Sequence, residues 1–184
     1  MSLSPSPETL EARWAHWDVA VRKDAAGDLV AEVPLAHSVK VLGDAQDESG
    51  PGFSRLVDLT AIDSGAAGEN SPAIGPMRDS SEGAARKSRF QVVYLLDQAE
   101  GGAAMRVYVP LDEAAELESV VSIWPAANWL EREVFDLFGI RFRGHPDLRR
   151  LLLPADFEGA PLRKDYPRQP DLPLPKPPAE EGGV

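Results

Sequence analysis

The chain of 184 residues carries 43% hydrophobic side chains, no cysteine and a formal net charge of -11, which suits one soluble domain with a core of its own. Without cysteine it has no disulfide, no thiolate metal ligand, no cysteine-bound iron-sulfur cluster and no cysteine nucleophile, so any redox centre it serves is expected on another chain. No apolar run approaches the ~18 residues of a transmembrane helix, and residues 1–10 have neither the basic start nor the apolar core of a signal peptide, which points to a cytoplasmic protein.

Ser6 and Pro7 read as an N-cap and first helical residue, followed by Leu10, Trp14 and Trp17 at helical spacing. Two β-prone runs, residues 19–21 and 29–33, are joined by the turn-prone residues 24–28 and predict a hairpin. After Pro34 the spacing of Leu35, Val39 and Leu42 predicts a helix that Gly43 could end. Residues 53–62, 90–96 and 105–109 read as three further strands, the last with one wet face because Met105, Val107 and Val109 alternate with Arg106 and Tyr108. Between the first two lies a Gly-, Ser-, Ala- and Pro-rich stretch, 64–88, read as a disordered insertion across which the strands still pair. The end of the chain, from Tyr166 onward, favours an extended polyproline-like arm.

Residues 128–138 fit a helix stopped by Gly139. Leu130, Val134 and Leu137 form its apolar stripe, extended by Phe135 and Phe138, while Arg132 and Asp136 fall opposite at pairing distance. Glu131 lies inside the apolar sector, where an unpaired carboxylate is costly. It either finds a basic partner, from this chain's arginines or another subunit, or reaches water at the edge of the face. Glu131 and Glu133 diverge by roughly 200° on a helix and cannot flank one glycosidic bond. His145 lacks companions at ligand spacing and reads as a structural histidine before Pro146. Gly144, His145, Pro146 and Asp147 predict a turn into a short helix, 148–152, with Leu148 at its start and Arg149 and Arg150 facing outward. Residues 156–161 predict a second turn. Residues 162–167 predict an extended strip whose Arg163, Lys164, Asp165 and Tyr166 alternate sides and could grip a partner by charge and ring.

The charge is uneven along the chain. Residues 1–140 hold 11 Lys and Arg against 23 Asp and Glu, whereas residues 141–168 hold seven against four. A basic strip on an acidic body suits docking to a protein surface better than binding nucleic acid. Gly-rich phosphate loops, serine elbows and dinucleotide fingerprints are absent from the sequence. The expected organisation is an α+β core of residues 1–63 and 89–140, the insertion 64–88, a docking segment 141–168 and a Pro-rich tail 169–184.

Written together, W-L-E-R-E-V-F-D-L-F-G-I-R-F-R-G-H-P-D-L-R-R-L-L-L-P (129–154) and D-F-E-G-A-P-L-R-K-D-Y-P (156–167) resemble the signature of the 30-kDa subunit, also lettered C, of proton-translocating NADH:quinone oxidoreductase (NDH-1), respiratory complex I. L-V-D-L-T-A-I-D (56–63), R-F-Q-V-V-Y-L-L (89–96) and S-I-W-P-A-A-N-W (122–129) extend the likeness over roughly residues 28–168. The resemblance implies a two-layer α+β fold, mostly antiparallel, and a non-catalytic subunit of the peripheral arm on the cytoplasmic side of the bacterial inner membrane. It implies packing on the D subunit of the complex, with B, I and G as neighbours, and no cofactor on this chain: FMN, iron-sulfur clusters and quinone belong to the partners. It marks Glu131, Arg132, Glu133, Asp136, Gly139, Gly144, His145, Pro146, Leu148, Arg149 and Arg150, with the block 161–167, as assembly positions. Three features depart from the family pattern: the long 64–88 insertion, Phe135 and Leu137 where Tyr and Met are common, and a short N-terminus. The alternatives are the equivalent subunit of a membrane-bound nickel-iron hydrogenase-type complex and, from another class, a free-standing acidic hydrolase using Glu131 or Glu133.

Overall fold

A computed structural model describes residues 5–65, 88–99 and 102–167. Most of the expected insertion and all of the expected tail lie outside these residues. The fold is α+β: a mixed five-stranded sheet packed against three helices.

Helix α1 (Pro7–Trp14) starts as the sequence predicts, and Thr9 completes a reciprocal capping box with Ser6. Its buried Leu10 and Trp14 face the core. The Trp14 indole and the Arg13 guanidinium both donate to Asp44, which ties α1 to α2 (Ser38–Gln46). The second helix runs on past Gly43 to Gln46, contrary to the stop expected there. Burial of Ala45 at the core outweighs the modest cost of a helical glycine.

Strands β1 (Ala20–Lys23) and β2 (Leu29–Glu32) form the predicted hairpin, with the Asp24 side chain accepting from the amides of Ala26 and Asp28. Glu11 of α1 accepts from the Val21 amide and so blunts the edge strand. Strands β3 (Arg55–Asp63), β4 (Phe90–Asp97) and β5 (Ala104–Leu111) complete the sheet in the order β1-β2-β5-β4-β3. β3 and β4 pair antiparallel across the insertion, β4 and β5 likewise, and only β2 and β5 run parallel. Alternation along the strands sends Leu59, Val92, Tyr94, Leu96, Met105 and Val107 into the core beneath the helices. The opposite face of β5 is drier than its alternation implies, because Tyr108 packs with Val30 and Val93 in a second apolar cluster.

After β5 the chain makes a two-residue strand, β6 (Leu117–Glu118), passes through α3 (Ala127–Phe138) and returns in β7 (Phe142–Arg143), parallel to β6. This small crossover, which the sequence reading missed, holds α3 against β3. It also buries Phe142 and Ile140, so the signature segment contributes to the core.

Candidate functional site

The 12-residue helix α3 frames the signature segment. Gly139 ends it at φ 73°, its amide donating to the Phe135 carbonyl, and Gly144 takes φ 80° in the next turn. Both conformations favour glycine. The charged residues of this helix are mostly turned inward.

Glu131 is fully buried. Its carboxylate accepts from the Val120 amide and the Ser119 hydroxyl, each at 2.7 Å. His145 Nε2 stands 4.0 Å from it. The Asp147 amide donates to His145 Nδ1 (3.0 Å), which leaves the ring proton on Nε2, 3.1 Å from the Asn128 carbonyl. Two of the outcomes expected for Glu131 are corrected: no Arg or Lys of this chain pairs with it among the described residues, and it does not reach water. Burial instead pushes its carboxyl up to about 7, opposed by the bonds from Ser119 and Val120. His145 is the structural histidine expected.

Asp136, five residues along, is equally buried and differently held. One oxygen accepts from the amides of Leu151, Leu152 and Leu153 at 2.7–3.0 Å, and the other takes the Arg150 guanidinium at 2.7 Å. Burial alone would push this carboxyl up, yet the Leu153 amide, Arg150 and the other two amides hold it below its usual value. Arg132 does not pair with Asp136 as expected. It donates to the carbonyls of Arg149 and Arg150, both at 3.1 Å. The helix face opposite the core is thus covered by residues 149–153. Residues 149–150 are irregular and 151–153 form bends where a short helix was expected, because the amides of 151–153 are bonded to Asp136 and the carbonyls of 149–150 to Arg132. The two adjacent arginines separate: Arg149 is 71% exposed beside Asp147, while Arg150 turns inward to Asp136 and the carbonyls of Phe157 and Gly159.

Residues 160–167 form turns rather than the extended strip expected. Arg89 at the start of β4 bonds Asp63, Glu113 and Asp165. Arg163 reaches Glu113 and Asp165, and both guanidiniums lie over the Phe90 ring. The Lys164 amide donates to the buried Asp63, and Tyr166 stacks on Phe157 with centroids 6.1 Å apart. The hydrogen bond from Arg89, with Arg163 adding to it, holds Asp165 down at about 2 against the opposing effect of burial. This clasp closes the segment onto the ends of β3 and β4, leaving beside it an open cavity of about 410 Å³ lined in part by Phe135, Arg150 and Tyr166.

Residues 31–171 match the family described as "Respiratory-chain NADH dehydrogenase, 30 Kd subunit". The chain belongs to that family. The C subunit of an NADH-quinone oxidoreductase from Methylobacterium sp. (strain 4-46) is 40% identical over 149 residues, covering 81% of this chain and 60% of the relative. The corresponding C subunit from Trichlorobacter lovleyi is 39% identical, covering 88% of each. The chain thus spans about 60% of the length of some curated relatives and most of others. A chain from the structure of the membrane-bound sulfane sulfur reductase, an archaeal respiratory membrane complex, has a TM-score of 0.61 at 24% identity, over 87% of this chain and 82% of that one. This last likeness shows the shared fold.

In this member of the 30-kDa family the arginines of the signature are spent within the chain. Arg141 pairs with Glu116 and Arg143 with Glu118, in addition to the pairs of Arg149, Arg150 and Arg163. The basic strip of the sequence is consequently neutralised by acids brought from residues 113–136 and from within the segment. Glu131 is sealed and Glu133 faces outward, so the two share no site. Gly144 and Pro146 are exposed at the turn, and Leu148 packs partly on the core. The outward anchors are ones the sequence reading missed: Trp129, 57% exposed on the first turn of α3, and Leu152, 61% exposed on the loop bonded to Asp136. The signal for each was present, Trp129 standing one turn before the polar Glu133 and Leu152 in the middle of three leucines. No cluster of three or more His, Asp or Glu is arranged to hold a metal among the described residues.

Proposed function

We propose that this chain is a non-catalytic docking subunit of the peripheral arm of an NADH-quinone oxidoreductase. In this reading it packs on the D subunit of the complex, with B, I and G nearby, on the cytoplasmic side of the membrane. FMN, iron-sulfur clusters and quinone reside on partner chains, which carry electrons from NADH to quinone and couple the transfer to proton translocation. The observation that supports it most is how α3 uses its buried charges. Glu131, Arg132 and Asp136 bond the Ser119 hydroxyl, the Val120 amide and backbone groups of residues 149–153, which fixes a frame of α3 and its covering loop whose exposed large apolar side chains are Trp129 and Leu152. Exposed apolar anchors on a rigid frame are the usual core of a protein interface. No helix among the described residues is long and apolar enough to cross a membrane, so membrane contact would come through the complex.

The test is to tag the full chain, isolate it from membranes and identify what co-purifies. Recovery with the flavin- and NADH-binding subunits is expected. Recovery with hydrogenase subunits would move the chain to the related complex, and recovery alone would sink the docking role.

A further inference from the structure

The linear sequence suggests that the docking segment is basic and would seek an acidic partner. Folding reverses that polarity. Of the six basic side chains in residues 141–167, five meet carboxylates of this chain: Arg141, Arg143, Arg149, Arg150 and Arg163. Among the described residues, exposed acids without an ion pair in the same two segments are Glu133, one turn from Trp129 on α3, and Asp156 and Glu158, on the loop that follows Leu152 and that Arg150 draws in through the Phe157 and Gly159 carbonyls. The guanidinium of Arg132 sits over the Trp129 ring at 5.0 Å, and its hydrogen bonds to the carbonyls of Arg149 and Arg150 bring the leucine loop alongside. Trp129 and Leu152 are thereby fixed as anchors on one frame. Loss of side-chain entropy on docking is correspondingly small.

We propose that Trp129 and Leu152 insert into an apolar depression on a partner subunit whose rim is basic, with Glu133, Asp156 and Glu158 facing that rim. This rests on the docking role above and assigns the partner's polarity. An acidic rim repels anionic lipid, and it repels the same face of a second copy of this chain, so neither is the occupant.

The experiment uses the full chain in cells lacking their own copy. A benzoylphenylalanine at position 129 is photo-crosslinked in the assembled complex and the adduct peptide sequenced. In parallel, two variants are compared with wild type for recovery of the complex at low and high salt: W129A/L152A, and the reversal E133K/D156K/E158K. All five positions are exposed, so both variants should melt as wild type does. The expected adduct lies on a partner peptide bearing Lys or Arg beside apolar residues. The reversal should lower low-salt recovery by roughly tenfold and invert its salt dependence, so that recovery rises with salt, and the anchor variant should lower recovery at both salt levels. An adduct on an acidic peptide, on lipid or on a second copy overturns the proposal, as does a reversal that binds as well as wild type. If no adduct forms while the chain still co-purifies, the proposed face is overturned although docking itself stands. A wild-type chain that recovers no partner would instead refute the docking role itself.

Discussion

The two halves of α3 bury one carboxylate each and solve the problem in opposite ways. At its start Glu131 has two donors and no cation, and burial pushes it up to about 7. At its end Asp136 has three amides and an arginine and stays below its usual value. A buried carboxylate is held ionised by the number and charge of its donors, since each donor repays part of the lost hydration. Glu131 therefore works as a hydrogen-bonding brace that tolerates neutrality, whereas Asp136 works as an anion. The first joins α3 to residues 119–120. The second organises the loop that presents Leu152.

The sharpest way to break this contrast is to remove each charge without changing shape. Asp136→Ala should cost about 3–5 kcal/mol, because it orphans three amides and leaves Arg150 facing an empty site. Asp136→Asn should recover little, since its amide group would oppose Arg150 and the loop amides. Arg150→Glu belongs to the same class, setting a second carboxylate against Asp136. Urea unfolding of the full chain measures all three, and a loss below about 1 kcal/mol for Asp136→Asn would show that its charge is unimportant.

Glu131 should behave differently with pH. Its folded value lies above the ordinary 4.5, so the neutral form is the one the fold prefers. That stability is complete below about 4.5 and is lost as pH rises through about 7. The difference corresponds to about 3 kcal/mol between the ends of this window. Glu131→Gln keeps an acceptor for the Val120 amide and a donor for Ser119, and should flatten the profile, matching wild type at pH 5 and exceeding it at pH 8. Equal slopes for wild type and variant would refute the assignment.

How much of this was legible in the sequence differs between the helix and its surroundings. The stripe of Leu130, Val134 and Leu137 with Phe138 beside it, the stop at Gly139 and the inward position of Glu131 follow from a 3.6-residue period, which acts within one element. The partners of Glu131 do not, because Ser119 and Val120 reach it through the β6-β7 crossover, whose two-residue strands carry no periodic signal. Periodicity likewise placed Arg132 and Asp136 opposite the core but could not reveal that residues 149–153 cover that side. Consequently the i, i+4 pair gave way to backbone partners and Arg150 turned inward. Asp63 and Arg89, the hub of the clasp, stood in recognisable segments, yet nothing local joins them to Asp165, which is distant in the chain.

That clasp provides a milder contrast with the buried carboxylates. Asp165 is 55% exposed, so water and salt screen its bonds to Arg89 and Arg163. Asp165→Asn should leave the global melt almost unchanged while speeding trypsin cleavage after Arg163 or Lys164, since turns 160–167 would open locally. For wild type the sign runs opposite to that of Glu131: a carboxyl held at about 2 contributes above 3.8 and is lost as pH falls through about 2. Cleavage unaffected by Asp165→Asn would mean that the Lys164 amide bond to Asp63 holds the turn alone.

The smallest effect on the fold is expected from Arg149→Glu, the neighbour of the residue whose reversal is among the most damaging. Among the described residues the Arg149 side chain pairs with the exposed Asp147, at 2.8 Å, and an isolated surface pair contributes little. Stability should stay within about 0.5 kcal/mol of wild type. Its effect on assembly carries more information. If the docking face were basic, as the linear charge suggests, adding a negative charge there would weaken recovery of partners, most of all at low salt. Against a basic rim the same change strengthens association or leaves it unaltered, because Arg149 already lies beside a carboxylate. One exposed side chain therefore separates the polarity read along the chain from the polarity its folding creates.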